Sequence, residues 1–431
     1  MRNYLQNKKN FFQKNIIAFL GIILYKFSLD SCYIQIINPI YSYSGFEYNP
    51  NETMTLISWI AFLISTYFIV KLLRGKDAFF VNVMIFFYLL SFVPTISLMA
   101  FMPPDSSFFL LFIIYWGLVI FFSFKLKDKY FKIKRIRYNQ NIIYLFLVVL
   151  ALSVIYISGR YTGFRLFFKL SGEYILRSEE KSYGFPAVFN YILPTAASIL
   201  PILCVYFYLS NKKKTSYVIG FIVFLNYSIG GHKTVIFYLF LCIIGVIFYK
   251  KNKVYLFSWG LALVNFICLL EFKLLNTFFL CATITRRVMF IPAQLNYWYY
   301  DFFTVNPLDY YKQSFLRYFG FKSVYNSPIP KAVAGFIKGK GEMNANNGLF
   351  SEGFSNLGFI GVFIHPIILI IVIKLMSSAA KGIEIKFLFL PIIVVGLMIM
   401  SGTITSALFT NGLFLLSILL LCLPRNNNFK F

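Results

Sequence analysis

Acidic side chains and histidines are scarce in this chain, and the signatures that depend on them are missing. Asp and Glu together number 15, against 41 Lys and Arg, and there are 2 histidines. No D-x-D pair is present to hold a metal together with a nucleotide, and no H-E-x-x-H, G-x-S-x-G or Walker loop occurs. ATP-driven transport, metalloprotease chemistry and α/β-hydrolase chemistry therefore have no support. The six cysteines, Cys32, Cys204, Cys242, Cys268, Cys281 and Cys422, lie in or beside apolar runs without C-x-x-C spacing. They read as small apolar core residues, not as a disulfide frame or metal site. Internal repeats and low-complexity tails are also absent.

Apolar sequence dominates what is present. Of 431 residues, 59% are hydrophobic, and the mean hydropathy is +0.72. Apolar runs of about 20 residues recur, the length that spans a hydrocarbon core as a helix. The composition predicts an all-α polytopic membrane protein. The net charge of +26 does not point to nucleic acid, because the basic residues sit mostly in short loops between apolar runs. The first residues, Met1 to Lys9, precede an apolar run without a small-residue cleavage site and predict an uncleaved signal anchor.

Twelve spans are expected, at 15–37, 54–73, 79–101, 108–126, 141–158, 187–209, 216–231, 234–249, 254–273, 355–375, 386–403 and 407–423. The seventh and eighth are short and meet at Gly230-Gly231-His232-Lys233. They read as a hairpin, since one merged helix would put three basic loops on the wrong side. With both termini cytoplasmic, the inner loops carry Lys71, Arg74 and Lys76, the block Lys125 to Arg137, Lys212 to Lys214, Lys250, Lys251 and Lys253, and Lys381 and Lys386. Arg425 and Lys430 also fall inside. The short outer loops 38–53, 102–107 and 404–406 carry no Lys or Arg. This is the positive-inside pattern. Lys26 and Asp30 in the first span are i,i+4 neighbours and predict a self-neutralising pair facing the bundle.

Two outer segments break the pattern by being long and basic. One is 159–186, with Arg160, Arg165, Lys169, Arg177 and Lys181. The other is 274–354, with Arg286, Arg287, Lys312, Arg317, Lys322, Lys331, Lys338 and Lys340. Its central hydrophilic stretch, Thr283 to Gly348, is too polar to cross a bilayer core. The expected organisation is 1–273, nine spans with the basic loop 159–186; 274–354, a large outer loop; and 355–431, three spans. An anionic ligand at the outer face is the natural reason for translocated positive charge, although long loops also translocate regardless of charge.

Arg177, Arg286 and Arg287 are the candidates for gripping a diphosphate, because guanidinium forks match phosphate oxygens two at a time. Lys233, beside Gly230 and Gly231, adds a point charge at the hairpin turn, where His232 is either a base or a solvated turn residue. The run Tyr297-Trp298-Tyr299-Tyr300-Asp301-Phe302-Phe303 predicts an interfacial helix, with sugar stacking as a second role. Asp301, Asp309, Glu342 and Glu352 are the acids from which a proton acceptor for an attacking hydroxyl would come. His365, before Pro366, reads as a helix-kink or bundle contact.

Thr285-Arg-Arg-Val-Met-Phe-Ile-Pro292, Tyr299-Tyr-Asp-Phe-Phe303, Gly230-Gly-His-Lys-Thr234, Glu173-Tyr-Ile-Leu-Arg177 and Asn347-Gly-Leu-Phe-Ser-Glu352-Gly-Phe-Ser-Asn356-Leu-Gly-Phe-Ile-Gly361 together resemble the bacterial O-antigen polymerase family (Wzy). The resemblance covers 155–361, and the rest only by hydropathy. It implies a fold similar to the metal-independent, GT-C-like polymerase and ligase branch of membrane glycosyltransferases, in the bacterial inner membrane. It implies a substrate too: an oligosaccharide on undecaprenyl diphosphate, already flipped outward, with no cofactor and no metal. Expected partners are that lipid-linked oligosaccharide, membrane lipids, a chain-length regulator and the flippase. Arg287, Arg286, Arg177 and Glu352 are the expected catalytic residues. Arg160, Arg165, His232, Lys233, Tyr300, Asp301, Asn347 and Asn356 are expected to bind substrate. An O-antigen ligase and a flippase are the alternatives.

Overall fold

The computed structural model describes residues 2–133, 140–168, 173–248, 253–339 and 344–425. Lys134, Arg135, Arg137, Lys169, Lys250, Lys251, Lys340, Glu342 and Lys430 lie outside the described residues, as do the side chains of Glu173, Tyr174, Cys242 and Lys338. Every regular element among the described residues is helical. Eight helices are long and apolar enough to cross a membrane: Gln13–Ser44, Glu52–Leu72, Ala78–Phe101, Ser106–Leu126, Gln140–Thr162, Phe189–Leu209, Val254–Leu275 and Phe350–Ala380. They coincide with eight of the twelve expected spans.

The other four expected spans are shorter or broken. Lys213–Gly230 and Lys233–Phe248 are separate helices, parted at Gly231, whose φ of 65° closes the first helix in the left-handed region. Ile385–Met400 has 16 residues. The stretch expected as 407–423 is two helices, Ile404–Phe409 and Leu413–Cys422. Gly412, at φ 84°, interrupts it, and Ser198 Oγ donates to the Asn411 carbonyl at 3.0 Å. That bond satisfies a backbone group that apolar surroundings would otherwise leave orphaned.

The chain forms two compact units: 1–129 with 253–373 and 399–403, and 130–252 with 374–398 and 404–431. In the first unit the helix Arg2–Cys32 packs along Phe257–Leu275. The Trp259 indole lies over Gly21, where an added Cβ would come within 2.4 Å of the ring, and donates to the Ile17 carbonyl at 2.8 Å. Lys26 is fully buried and pairs with Asp30 at 2.7 Å, with its ammonium 4.3 Å from the centre of the Trp59 ring. The expected pair is thus present and shielded by an aromatic face. Lys26→Met leaves the Asp30 carboxylate without its cation, and removing one partner of a buried pair costs about 3–5 kcal/mol. Thermal unfolding in detergent should show that loss, with recovery in the double variant Lys26→Met/Asp30→Leu.

Cys32, Cys268, Cys281 and Cys422 are buried, as the sequence predicts, whereas Cys204 is half-buried. The stretch 281–305 is helical throughout, first as Cys281–Phe290 with wide π turns, then as Ile291–Val305. Its aromatic run is a helix, as expected, but Tyr299, Tyr300, Phe302 and Phe303 are buried. They pack on neighbouring rings: Tyr300 on Phe354 with centroids 5.2 Å apart, and Phe302 on Phe336 at 5.3 Å. Protein side chains take up most of the apolar ring surface that an interfacial helix would give to lipid.

Candidate functional site

In the first unit, a ladder of buried polar groups positions the two adjacent arginines. Thr285, fully buried, donates to Asn265 Oδ1 at 2.8 Å, and Asn265 Nδ2 donates to Ser28 Oγ at 3.1 Å. This ties the residue preceding Arg286 to two other helices. Glu271 supports the start of the segment by accepting from the backbone N–H groups of Phe279 and Leu280, both at 2.9 Å. A carboxylate there complements the positive end of a helix. Pro292 has no N–H to return to the preceding turn, and the wide turns before it let Ile291 N–H reach the Arg286 carbonyl instead.

Arg286 lies with its guanidinium carbon 4.1 Å from the centre of the Tyr41 ring. Its Nε is buried and has no hydrogen-bond partner. Arg287 is exposed. Among the described residues no carboxylate pairs with either arginine. A half-buried guanidinium stacked on a ring, with an unused Nε donor and no counter-ion, is suited to receive an anion.

Asn296, on the same continuous helix, anchors the second half of the site. Its Oδ1 accepts from Asn347 Nδ2 and from Ser351 Oγ, both at 3.0 Å, while its Nδ2 donates to Thr95 Oγ1 at 3.1 Å. Asn347 Nδ2 also lies 2.9 Å from Ser351 Oγ. Ser351 neighbours Glu352, so this network sets the start of the helix Phe350–Ala380.

That helix is not continuous. Gly358 has φ 56° and ψ −132°, a combination open essentially to glycine. Glu352 Oε2 and His365 Nε2 lie 3.1 Å apart although 13 residues separate them; in a straight helix they would stand about 20 Å apart. The chain therefore doubles back at Gly358 into a tight helical hairpin. Its arms touch at glycines, since an added Cβ on Gly361 would lie 1.9 Å from the Gly353 carbonyl oxygen. His365 Nδ1 is in turn 2.9 Å from the Tyr115 hydroxyl. His365 is fully buried and Glu352 is 2% exposed.

Above the hairpin, Asn356 Oδ1 accepts from Tyr311 N–H at 2.8 Å and Asn356 Nδ2 donates to the Glu352 carbonyl at 2.8 Å. Tyr310 and Tyr311 both have positive φ, 53° and 60°, a strained pair of non-glycine residues held by these bonds. Burial pushes the Tyr311 phenol up, and the nearby Glu352 carboxylate adds to the shift. The same two causes, in the same order, raise Tyr299.

The remaining acids of this region differ from Glu352. Asp309 is buried and accepts from Ser323 Oγ at 2.6 Å and from Gln313 N–H at 2.9 Å, which makes it a loop organiser. Asp301 is exposed. Tyr300 donates to Asp105 Oδ2 at 3.1 Å.

The second unit holds the other candidates, and several of its cations already have acids. Arg165 Nη2 bonds Glu179 Oε2 at 2.5 Å, and His232 Nε2 lies 3.2 Å from Glu180 Oε2. Gly230 does permit a close approach, but the approaching group is the chain's own Glu180, whose Oε2 would sit 2.7 Å from an added Cβ. Lys233 and Arg177 are also engaged in contacts within the chain. Arg160 is exposed and lies 5.9 Å from the Tyr161 ring centre. The hydrogen bond from Arg165 holds the Glu179 carboxyl below its ordinary range. The folded state thus favours the charged form, so the stabilisation is full above the unfolded carboxyl value and is lost as pH falls through the folded one. The protection factors for amide exchange in the helix Glu173–Ser182, taken relative to the intrinsic rate at each pH, should therefore fall on acidification, and Glu179→Gln should remove that dependence.

The first unit, then, gathers Glu352, Asn347, Asn356 and Tyr300 around one hairpin and holds Arg286 and Arg287 on the adjoining helix. Arg160, Arg165, Arg177, His232 and Lys233 belong to the second unit. The sequence reading missed the partnership of His365 with Glu352, and with it Tyr115, Asn296 and Tyr41. The glycine spacing 353, 358 and 361 was the available signal for a chain reversal. Comparison of the chain with family models, curated proteins and solved structures gives no match.

Proposed function

We propose that this membrane protein is an oligosaccharide repeat-unit polymerase of the bacterial inner membrane, with a GT-C-like bundle and its site on the periplasmic side. The observation that carries the reading is the pair Arg286 and Arg287, which lack a carboxylate partner among the described residues while Lys26, Arg165 and His232 each have one. The substrate is a glycan on undecaprenyl diphosphate, and both termini are cytoplasmic by the charge pattern of the loops. A hydroxyl oxygen of the incoming lipid-linked unit bonds to the anomeric carbon of the growing chain. The bond from that carbon to the phosphate oxygen breaks, and its electron pair leaves with the diphosphate. The hydroxyl proton passes to Glu352. Arginines placed in advance stabilise the charge that grows on the leaving group, which is how a preorganised site lowers a barrier.

Disruption of the gene tests the reading. A polymerase defect leaves lipopolysaccharide carrying a single repeat unit, and complementation restores the ladder. Complete loss of attached O-antigen would point to the ligase instead, and accumulation of the lipid-linked unit on the cytoplasmic side to the flippase.

A further inference from the structure

We infer that His365, backed by Tyr115, is the positioning residue that holds the Glu352 carboxylate in place to receive the acceptor's proton; the inference rests on the polymerase reading above. The argument begins with the hairpin. The turn at Gly358 and the glycine contact between 353 and 361 bring His365 against Glu352, and the three polar groups form one line, with Tyr115 OH 2.9 Å from Nδ1 and Nε2 3.1 Å from Glu352 Oε2.

All three side chains are buried, so the donors and acceptors must match. One assignment satisfies every group: Tyr115 donates to Nδ1, and the proton on Nε2 is donated to the carboxylate. A hydrogen bond on the second ring nitrogen selects the tautomer, and a carboxylate that accepts a fixed N–H cannot rotate away. The Tyr115 and His365 rings are also nearly parallel, at 28° with centroids 5.9 Å apart, which limits the imidazole to one plane. The side chain serves through Glu352, and no contact with substrate is assigned to it.

The chain has 2 histidines, so full-length protein labelled with ¹⁵N-histidine in lipid nanodiscs gives two sets of ring signals. His365→Gln identifies its own. The expected result is a single tautomer at His365 with Nδ1 accepting and Nε2 carrying the proton, perturbed by both Tyr115→Phe and Glu352→Gln. Ring signals averaged between tautomers, or unmoved by both substitutions, would overturn the inference.

The second arm measures elongation of lipid-linked repeat units extracted from cells in which the gene is disrupted. His365→Phe should lower kcat roughly 100-fold, with KM within about threefold of the parent, the scale of a misplaced general base. His365→Gln keeps a side-chain N–H donor and should recover about tenfold of that loss. A folded His365→Phe protein with the parent's kcat would overturn the inference. Should that variant fail to fold, Tyr115→Phe and His365→Gln carry the same comparison of kcat with KM. An ordered tautomer in a parent protein that elongates nothing removes the polymerase reading; a disordered tautomer in a protein that elongates normally removes only the role of His365.

Discussion

Replacing Arg286 and Arg287 together by Gln should abolish glycan elongation while the protein remains folded in the membrane. A guanidinium shielded from water and aimed at a developing negative charge is worth on the order of 2–4 kcal/mol of transition-state stabilisation, so Arg286→Gln alone should slow turnover about 10²–10³-fold. Cells carrying the double variant should display lipopolysaccharide with one repeat unit. The expected fold change is larger for Arg286, which stacks on Tyr41 and keeps a buried, unused Nε donor, than for exposed Arg287. Arg286→Lys should not restore activity, because an ammonium lacks the planar fork. Arg165→Gln provides the contrast, since Glu179 already neutralises that side chain and a surface pair contributes little. A normal ladder from the Arg286 and Arg287 double variant would remove the anion site from the proposal.

Gly361→Ala should be nearly as damaging, for a steric reason. The added methyl would sit 1.9 Å from the Gly353 carbonyl oxygen, and a backbone atom cannot swing aside as a side chain does. Forcing the arms of the hairpin apart costs about 3 kcal/mol or more and separates Glu352 from His365. Gly358→Ala meets a different barrier: Leu308 stands 3.1 Å from the added Cβ, but the φ and ψ of the hinge are what an L-residue resists. Both variants should lose elongation. Size-exclusion and thermal-melt measurements should show Gly361→Ala as the less stable of the two relative to the parent. A stable, fully active Gly361→Ala protein would mean that the glycine contact is dispensable.

Two regions show why the sequence reading and the structure part company. In the loop 159–186, counting charge made Arg165 look available, yet Glu179, 14 residues along the chain, is paired with it. A surplus of one sign does not tell which cations keep a partner of their own. In the aromatic run 297–303, Tyr and Trp enrichment has the same signature for a helix at the headgroups and for one packed against other rings. Only the positions of Phe108, Phe350 and Phe354 decide between the two; Phe108, for example, lies 4.8 Å from Tyr297 between ring centres.

By itself the amino-acid order determined that this is an all-helical membrane protein, where most of its long apolar helices run, and that Lys26 pairs with Asp30. These follow from periodicity, length and i,i+4 spacing, which are local properties of the chain. It also marked Arg286, Arg287 and Glu352 as residues to watch. Only the tertiary structure decided that Arg286 stacks on Tyr41, that Asn296 ties the arginine helix to the start of the helix bearing Glu352, and that the chain reverses at Gly358 to set Glu352 against His365. Those contacts join residues far apart in the chain, and their geometry depends on backbone angles and on a close approach of two glycines, neither of which leaves a periodic trace in the sequence.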